Sequence, residues 1–252
     1  MLLLHGSGAG ASTVGNWRKV LAPLAAAGFK VHAMDLIGFG RSGRKPQEPY
    51  FDYDLWLDQG REMLDRIPGE TVGLIGHSLS GSLALRLAIG NSRIRKVLTT
   101  GTMGAHFEAN PVTLALWKCP DSPQQLREAA EMLIADDSLI DDDYLENRAA
   151  LLFSGDYHDY FNRMFRGNCQ RFIDRAALSP DELSSIHAQV LLIHGQEDRG
   201  YPAAELSLVL GRSLSQADVV LLGRCSHSVA FEQPEKFLHH ATAFFAQDHR
   251  NG

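Results

Sequence analysis

Cysteine is scarce in this chain of 252 residues. The three cysteines, Cys119, Cys169 and Cys225, lie far apart, and no CxxC pair or other zinc-type spacing occurs. Neither a disulfide framework nor a metal site is therefore expected. Sparse, unpaired cysteines are typical of a reducing compartment, so we expect a cytoplasmic protein.

Long apolar runs and basic clusters are also missing. No apolar run approaches the roughly 18 residues that a membrane-spanning helix needs, and the start of the chain lacks the basic region and length of a signal peptide. The 24 basic residues are outnumbered by 30 acidic ones, which gives a net charge of −6. A chain with this charge balance and no basic cluster is not expected to bind nucleic acid or an anionic membrane.

What the sequence does have is a regular alternation of short apolar runs and helical stretches. The predicted strands are 2–4, 29–36, 71–76, 94–100, 189–194 and 217–222. Helices are predicted over 16–27, with Pro23 as a kink or break, and over 54–67, 79–89, 203–214 and 235–246. Nearly continuously apolar strands are typical of a parallel sheet covered on both faces. The alternation predicts an open, doubly wound α/β sheet.

One stretch interrupts this alternation. Residues 102–186 show helical patterns and no clear strand. We therefore expect a helical cap over 102–186, inserted into a core formed by 1–101 and 187–252.

A candidate nucleophile lies between a predicted strand and a predicted helix, in the hexapeptide Gly76–Gly81 (GHSLSG). A serine at such a sharp turn holds its hydroxyl clear of the sheet, and the following helix N-terminus offers free N–H groups to an oxyanion. Ser80 replaces the second glycine of G-x-S-x-G, and because serine is small we expect the turn to form. The alternative is that Ser78 merely caps the helix.

A serine nucleophile needs a base and an orienting acid. Asp198 follows the predicted strand 189–194, and His227 follows the strand 217–222, so both stand at strand carboxyl ends, where such sheets place their sites. Glu197 is a rival for the acid, and His227 is one of 11 histidines. The order Ser78, Asp198, His227 at three strand ends nevertheless predicts a catalytic triad.

The glycine-rich loop His5–Gly10 (HGSGAG) follows the first strand. Such a loop can aim a backbone N–H at a substrate oxygen, and the N–H groups of Ser7 and Leu79 are the predicted oxyanion hole. A phosphate-binding loop is disfavoured, because no lysine follows the glycines and no G-x-G-x-x-G pattern is present.

The segments HGSGAG, DLIGFGRSG, GHSLSG, HGQED and the His227 loop resemble the α/β-hydrolase superfamily over nearly the whole chain. Within it, HGSGAGASTVGNW, GRCSHS and the intervening cap resemble the meta-cleavage-product hydrolases. Those enzymes cut a C–C bond in ring-fission products of aromatic degradation. The resemblance implies a serine hydrolase without a cofactor that acts through an acyl-enzyme on small 2-hydroxy-6-oxo-dienoates, on carboxylic esters, or on both.

The same resemblance implies substrate-binding roles. Asn16 and the cap residue Arg148 would hold the carboxylate and 2-oxo end, with Gly8 and His77 beside them. An arginine fork suits a carboxylate. The alternative for Arg148 is an ion pair on a helix surface.

Three departures from that family keep other functions open. The family has Asn before the nucleophile and Trp after the catalytic histidine, where this chain has His77 and Ser228. A plain carboxylesterase and a cofactor-free perhydrolase are therefore alternatives, as is a slow or non-catalytic ligand receptor. The family's first two strands are also not found, which predicts an exposed edge at 29–36 and a homodimer formed through it.

Overall fold

A computed structural model describes residues 1–246, and within them six strands form one parallel sheet in the order β2-β1-β3-β4-β5-β6. The strands are β1 (Leu2–Leu4), β2 (His32–Met34), β3 (Leu74–His77), β4 (Lys96–Thr100), β5 (Gln189–Gly195) and β6 (Ala217–Leu222). The chain first moves from β1 outward to β2, and then returns past β1 to β3. The strand order therefore reverses between β1 and β3, and at such a point the loops after the two strands diverge and leave a crevice.

Helices connect the strands and cover the sheet. The core helices are α1 (Thr13–Trp17), α2 (Leu21–Ala26), α3 (Tyr53–Arg66), α4 (Leu79–Ala88), α11 (Ser207–Ser213), α12 (Val229–Glu232) and α13 (Pro234–Ala246). Between β4 and β5 lie α5 (Pro111–Leu116), α6 (Pro123–Leu133), α7 (Asp142–Leu152), α8 (Tyr157–Met164), α9 (Gln170–Ala176) and α10 (Pro180–Ser184). None of the helices over residues 1–246 is long and apolar enough to span a membrane.

The two faces of the sheet bury different sets of side chains. In β1, Leu2 and Leu4 belong to the cluster beneath α3, α4 and the inserted helices, whereas Leu3 belongs to the cluster beneath α1, α2 and α13. This is the period of two that a strand imposes on its side chains. Because both faces are covered, each strand is apolar on successive residues, as the sequence pattern indicated.

The inserted helices have conventional starts. Asn110, Ser122, Asp141 and Ser179 each precede a helix and accept a hydrogen bond from a backbone N–H of its first turn. Caps of this kind stabilise a helix by about 1 kcal/mol each. The segment 102–186 contains no strand among the described residues, and its apolar side chains share one cluster with those beneath α3 and α4. The last six residues of the predicted core segment 187–252 lie outside the described residues.

Several predicted boundaries were wrong in detail. The predicted helix 16–27 is two helices, and Pro23 lies in the first turn of α2, where its missing N–H removes no helical bond. The predicted helix 203–214 begins only at Ser207. The predicted strand 29–36 shrinks to the three residues of β2, because β1 is its one partner among the described residues and extends no further.

Strand β2 lies at the sheet edge, with its three residues half-buried. An edge strand presents unpaired backbone groups to any second strand that approaches. A homodimer formed through this edge stays a prediction.

Candidate active site

The turn that carries Ser78 is strained and crowded. Ser78 has φ +56° and ψ −125°, a conformation rarely taken by residues other than glycine, and such strain is typical of functional turns. A Cβ on Gly76 would lie 2.2 Å from the carbonyl oxygen of Ser80. A Cβ on Gly81 would lie 1.9 Å from Thr102 Oγ1. Only glycine fits at these two positions, so the strand and helix can meet closely at the turn that carries the buried Ser78.

Ser80, which replaces a glycine of the motif, has a contact of its own. Its buried Oγ donates to the carbonyl oxygen of His5 at 2.5 Å. This bond joins the turn after β3 to the glycine-rich loop after β1. The expected turn does form, and Gly81 rather than residue 80 makes the close approach to Thr102, in the segment just after β4.

Asp198 and His227 meet at the carboxyl edge of the sheet. His227 Nδ1 lies 2.6 Å from Asp198 Oδ2, and both side chains are buried. The rival Glu197 is exposed. Burial raises the pKa of Asp198, but the charge of His227 and the hydrogen bonds from two histidines outweigh it and hold that pKa well below its usual range. Asp198 is therefore a permanent anion that fixes His227 through Nδ1.

Two residues that the sequence analysis missed hold Asp198 in place. His194 Nε2 lies 3.2 Å from Asp198 Oδ2 and 2.8 Å from the carbonyl oxygen of Tyr201. Since a carbonyl oxygen only accepts, this nitrogen carries the proton. The N–H of Tyr201 donates to Asp198 Oδ1 at 2.9 Å, and its ring stacks on His227 with centroids 4.4 Å apart. Both carboxylate oxygens are thus engaged before any substrate binds.

Ser78 and His227 line one small chamber of about 20 Å³. Because Nδ1 of His227 is bound to Asp198, its Nε2 is the nitrogen left to take a proton. No hydrogen bond joins Ser78 Oγ to His227 among the described contacts. In enzymes without substrate, nucleophile–base bonds are often long and shorten only when the substrate is bound.

The predicted oxyanion donors lie on the two loops that meet at this chamber. Leu79 is the first residue of α4, so its N–H has no acceptor within the helix. Ser7 lines the chamber, and its Oγ accepts a hydrogen bond from Trp117 Nε1 at 3.2 Å. The N–H of Ser7 has no acceptor within residues 1–246, which leaves both N–H groups available to an oxyanion.

The structure brings all four predicted substrate-binding residues to the chamber wall: Gly8, Asn16, His77 and Arg148. Asn16 Oδ1 accepts a long bond from the N–H of Gly6, at 3.4 Å. Arg148 Nη1 donates to the carbonyl oxygen of Ala9 at 3.0 Å, and no carboxylate among the described residues pairs with it. The ion-pair alternative for Arg148 is therefore not what the structure shows.

His77 faces His227 across the chamber, with ring centroids 4.7 Å apart. Its Nδ1 lies 3.1 Å from the carbonyl oxygen of Thr100, so this nitrogen carries the proton and Nε2 has a free lone pair. Burial, aided by the charge of His227, holds the pKa of His77 well below its usual value. His77 is thus a neutral hydrogen-bond acceptor at the chamber wall.

Glu232 joins the loop of His227 to the inserted helices. Its buried carboxylate accepts bonds from the N–H groups of Ser226 and Ser228, the two neighbours of His227, at 3.0–3.1 Å. It also accepts from the N–H of Ala135, in the segment after α6, at 2.7 Å. The carbonyl oxygen of Leu133, the last residue of α6, accepts bonds from the N–H groups of His227 and Ser228. We call these contacts the Glu232 clasp.

No sequence motif indicated the Glu232 clasp or the contacts that His194 and Tyr201 make with Asp198. Glu232 follows His227 by five residues, and a carboxylate so close to a candidate base is the one signal that could have been examined. The Leu133 contact uses a backbone oxygen, which no residue type reveals.

Comparison with known proteins places this site in context. The model of the alpha/beta hydrolase family matches residues 1–240. A 2-hydroxymuconate semialdehyde hydrolase of Pseudomonas sp. (strain CF600) is 30% identical over 248 residues, which cover 98% of this chain and 87% of the relative. A 2-hydroxy-6-oxo-2,4-heptadienoate hydrolase of Pseudomonas putida strain F1 is also 30% identical, with 98% and 89% of the two chains covered.

Among solved structures, the meta-cleavage product hydrolase of Pseudomonas fluorescens IP01 in complex with acetates superposes with a TM-score of 0.91. The identity is 29%, over 98% of this chain and 90% of that one. The 2-hydroxy-6-oxo-6-phenylhexa-2,4-dienoate hydrolase of Rhodococcus sp. strain RHA1 gives a TM-score of 0.87 at 26% identity, with 97% and 89% covered.

Proposed function

Since this chain belongs to the α/β-hydrolase family, we propose that it is a serine hydrolase that cleaves a C–C bond of 2-hydroxy-6-oxo-dienoates through an acyl-enzyme. The family membership confirms the fold class and the resemblance predicted from the sequence. The observation that carries the mechanism is the 2.6 Å contact between Asp198 and His227, in a chamber that also contains Ser78 and Arg148.

The reaction begins with a change of tautomer. A dienol is a poor electron sink, so the 2-hydroxy group must lose its proton while C5 gains one, which gives the 2,6-dioxo form. Arg148 and Asn16 hold the carboxylate and the 2-oxo end during this step. A guanidinium fork binds a carboxylate in a fixed orientation, which places the 6-oxo carbon toward the nucleophile.

Acylation follows. His227 takes the proton of Ser78 through Nε2 while Oγ attacks C6, and the oxyanion is held by the N–H groups of Ser7 and Leu79. The C5–C6 bond then breaks, and its electron pair moves onto the 2-oxo oxygen as a dienolate. His227 returns its proton to the leaving dienolate, so the first product is a 2-hydroxydienoate.

Deacylation repeats the sequence with water. His227 deprotonates a water molecule, which attacks the ester carbonyl of the acyl-enzyme, and the proton then returns to Ser78. The second product is the carboxylic acid. Asp198 stays ionised throughout and stabilises the imidazolium that forms twice in each cycle.

The experiment is to follow loss of the visible absorbance of 2-hydroxymuconate semialdehyde and of a 2-hydroxy-6-oxo-heptadienoate, beside hydrolysis of p-nitrophenyl acetate. We expect turnover of at least one dienoate and loss of at least about a thousandfold in kcat in Ser78→Ala. Ser92→Ala, the same change at an exposed serine, is the matched control.

Undiminished turnover by Ser78→Ala would refute the serine mechanism. Ester hydrolysis without any turnover of the dienoates would refute the C–C substrate and leave a carboxylesterase. Absence of all turnover, together with thermal stabilisation by a dienoate, would point to a ligand receptor.

A further inference from the structure

A second cavity shares Arg148 with the chamber as a lining residue. It has a volume of about 300 Å³ and lies between α7, the segment 10–18 and the segment 35–41. We call it the arginine cleft, after the three arginines that line it: Arg18, Arg41 and Arg148. The chamber itself, at about 20 Å³, has room for little more than a water molecule.

The arginine cleft is positive although the chain as a whole is negative. Asp35 is the one acidic residue of its lining, and its two oxygens already accept bonds from the N–H groups of Thr13 and Arg41, at 2.6 and 2.8 Å. No ion pair joins Arg18, Arg41 or Arg148 to a carboxylate within the described part of the chain. Three guanidinium groups against one carboxylate thus leave the lining with an excess of about two positive charges.

Two polar atoms at this lining are buried without a partner. Tyr144 is 4% exposed, and its hydroxyl has no hydrogen bond within residues 1–246. The same holds for Nε of Arg148. The guanidinium carbons of Arg18 and Arg148 lie 5.9 and 5.2 Å from the centre of the Tyr144 ring. A buried donor without an acceptor destabilises the folded state, and an anion bound here would supply acceptors.

Arg148 links the two cavities, because it lines the arginine cleft as well as the chamber. In this structure its guanidinium is held by one backbone bond, to Ala9. Movement of this side chain would open the wall between the cavities. An anion bound at the cleft would meet the same arginine that lines the catalytic chamber.

We propose that the arginine cleft captures the carboxylate of an incoming substrate and is the entrance to the chamber, with Arg148 passing the carboxylate inward. This inference rests on the proposed function only in its choice of substrate, a small carboxylate. A cleft of this charge raises the local concentration of an anion and steers it inward, an effect that salt screens.

The test compares two esters with the same leaving group, neutral p-nitrophenyl butyrate and anionic mono-p-nitrophenyl glutarate, so that it does not depend on C–C cleavage. The variant is Arg18→Gln/Arg41→Gln, which leaves Arg148 in place. At low ionic strength we expect kcat/KM for the anionic ester to fall about tenfold, and its dependence on NaCl to flatten. The neutral ester should change less than about twofold.

Two further variants separate charge from shape. Arg18→Lys/Arg41→Lys keeps both charges and should restore most of kcat/KM for the anionic ester. Arg212→Gln removes a charge from α11, which packs against β5 and β6 far from the cleft, and should behave as wild type. Wild-type kcat/KM of the double glutamine variant on the anionic ester would overturn the proposal. An equal fall on both esters would overturn it too, because the arginines would then act through packing.

Discussion

Replacing Glu232 by glutamine tests whether the clasp positions the catalytic base. The change keeps the size of the side chain and one oxygen, but it puts an NH₂ group where the second oxygen accepts hydrogen bonds. Three backbone donors now share the carboxylate: Ala135, Ser226 and Ser228. With glutamine, at least one of these buried N–H groups faces another donor.

The magnitude follows from those contacts. One buried N–H without an acceptor costs about 1–3 kcal/mol, and each remaining bond loses the part of its strength that the charge supplied. Burial raises the pKa of Glu232, which shows that desolvation of the carboxylate offsets part of the stability that its charged hydrogen bonds provide. We therefore expect a loss of about 2 kcal/mol in the free energy of unfolding, and a fall of about 4–8 °C in Tm.

The folded variant should also be less active, so the fall in activity is not explained by unfolding alone. Since His227 keeps its bond to Asp198 and its N–H keeps the bond to Leu133, the imidazole is loosened rather than displaced. We expect kcat to fall about tenfold, equivalent to about 1.4 kcal/mol, with KM nearly unchanged.

The assay is kcat and KM for p-nitrophenyl acetate at least 10 °C below the Tm of the variant, with Tm from circular dichroism. Exposed Glu205→Gln is the matched control. Wild-type kcat in a destabilised but folded variant would refute the positioning role and leave Glu232 a purely structural residue. Wild-type kcat and Tm together would refute the clasp altogether.

Three other predictions concern Asp198, Gly81 and His77. Asp198→Asn should keep the fold by circular dichroism and lower kcat about 10³–10⁴-fold, because the neutral amide no longer fixes the tautomer of His227; more than a tenth of wild-type kcat would contradict this. Gly81→Ala puts a Cβ 1.9 Å from Thr102 Oγ1 and should cost about 1–3 kcal/mol in urea unfolding, whereas unchanged stability would show that the turn can relax. Because the pKa of His77 is depressed in the folded state, the unfolded chain binds the proton first as pH falls below about 6.5, so stability is complete above that pH and declines below it. Between pH 7 and 5.5 the free energy of unfolding should therefore decline, and His77→Asn should flatten this decline in urea unfolding; an equally steep profile would contradict the assignment.

The sequence predicted the sheet because its strands are covered on both faces and therefore read as apolar runs. It predicted Ser78, Asp198 and His227 because each stands at a strand end, where a parallel sheet gathers its loops. Boundaries failed where long-range contacts decide them. The helix expected over 16–27 was predicted to kink or break at Pro23, but it breaks after Trp17, beside Lys19, whose amine donates to the carbonyl oxygen of Phe231.

The supporting parts of the site were invisible for a different reason. The carbonyl oxygen of Tyr201 and the N–H of Ala135 take part as backbone groups, which every residue has. Glu232 acts on its own loop and on the segment after α6 at once, a contact across 97 residues of sequence. Only the packing of the inserted helices against the core brings Ala135 to Glu232.

The positions of the clasp and the arginine cleft bear on how a substrate can enter. The chamber has a volume of only about 20 Å³, so some part of the inserted helices has to move to admit a substrate. If Leu133 and Ala135 moved, the bonds that fix the backbone of His227 would break, and each entrance of substrate would disorder the base. Movement at Arg148 of α7 would break one hydrogen bond, to Ala9, and leave the clasp intact. Entrance through the arginine cleft therefore admits a carboxylate while the base stays in place, whereas entrance beside Leu133 would make each turnover wait for the loop of His227 to re-form.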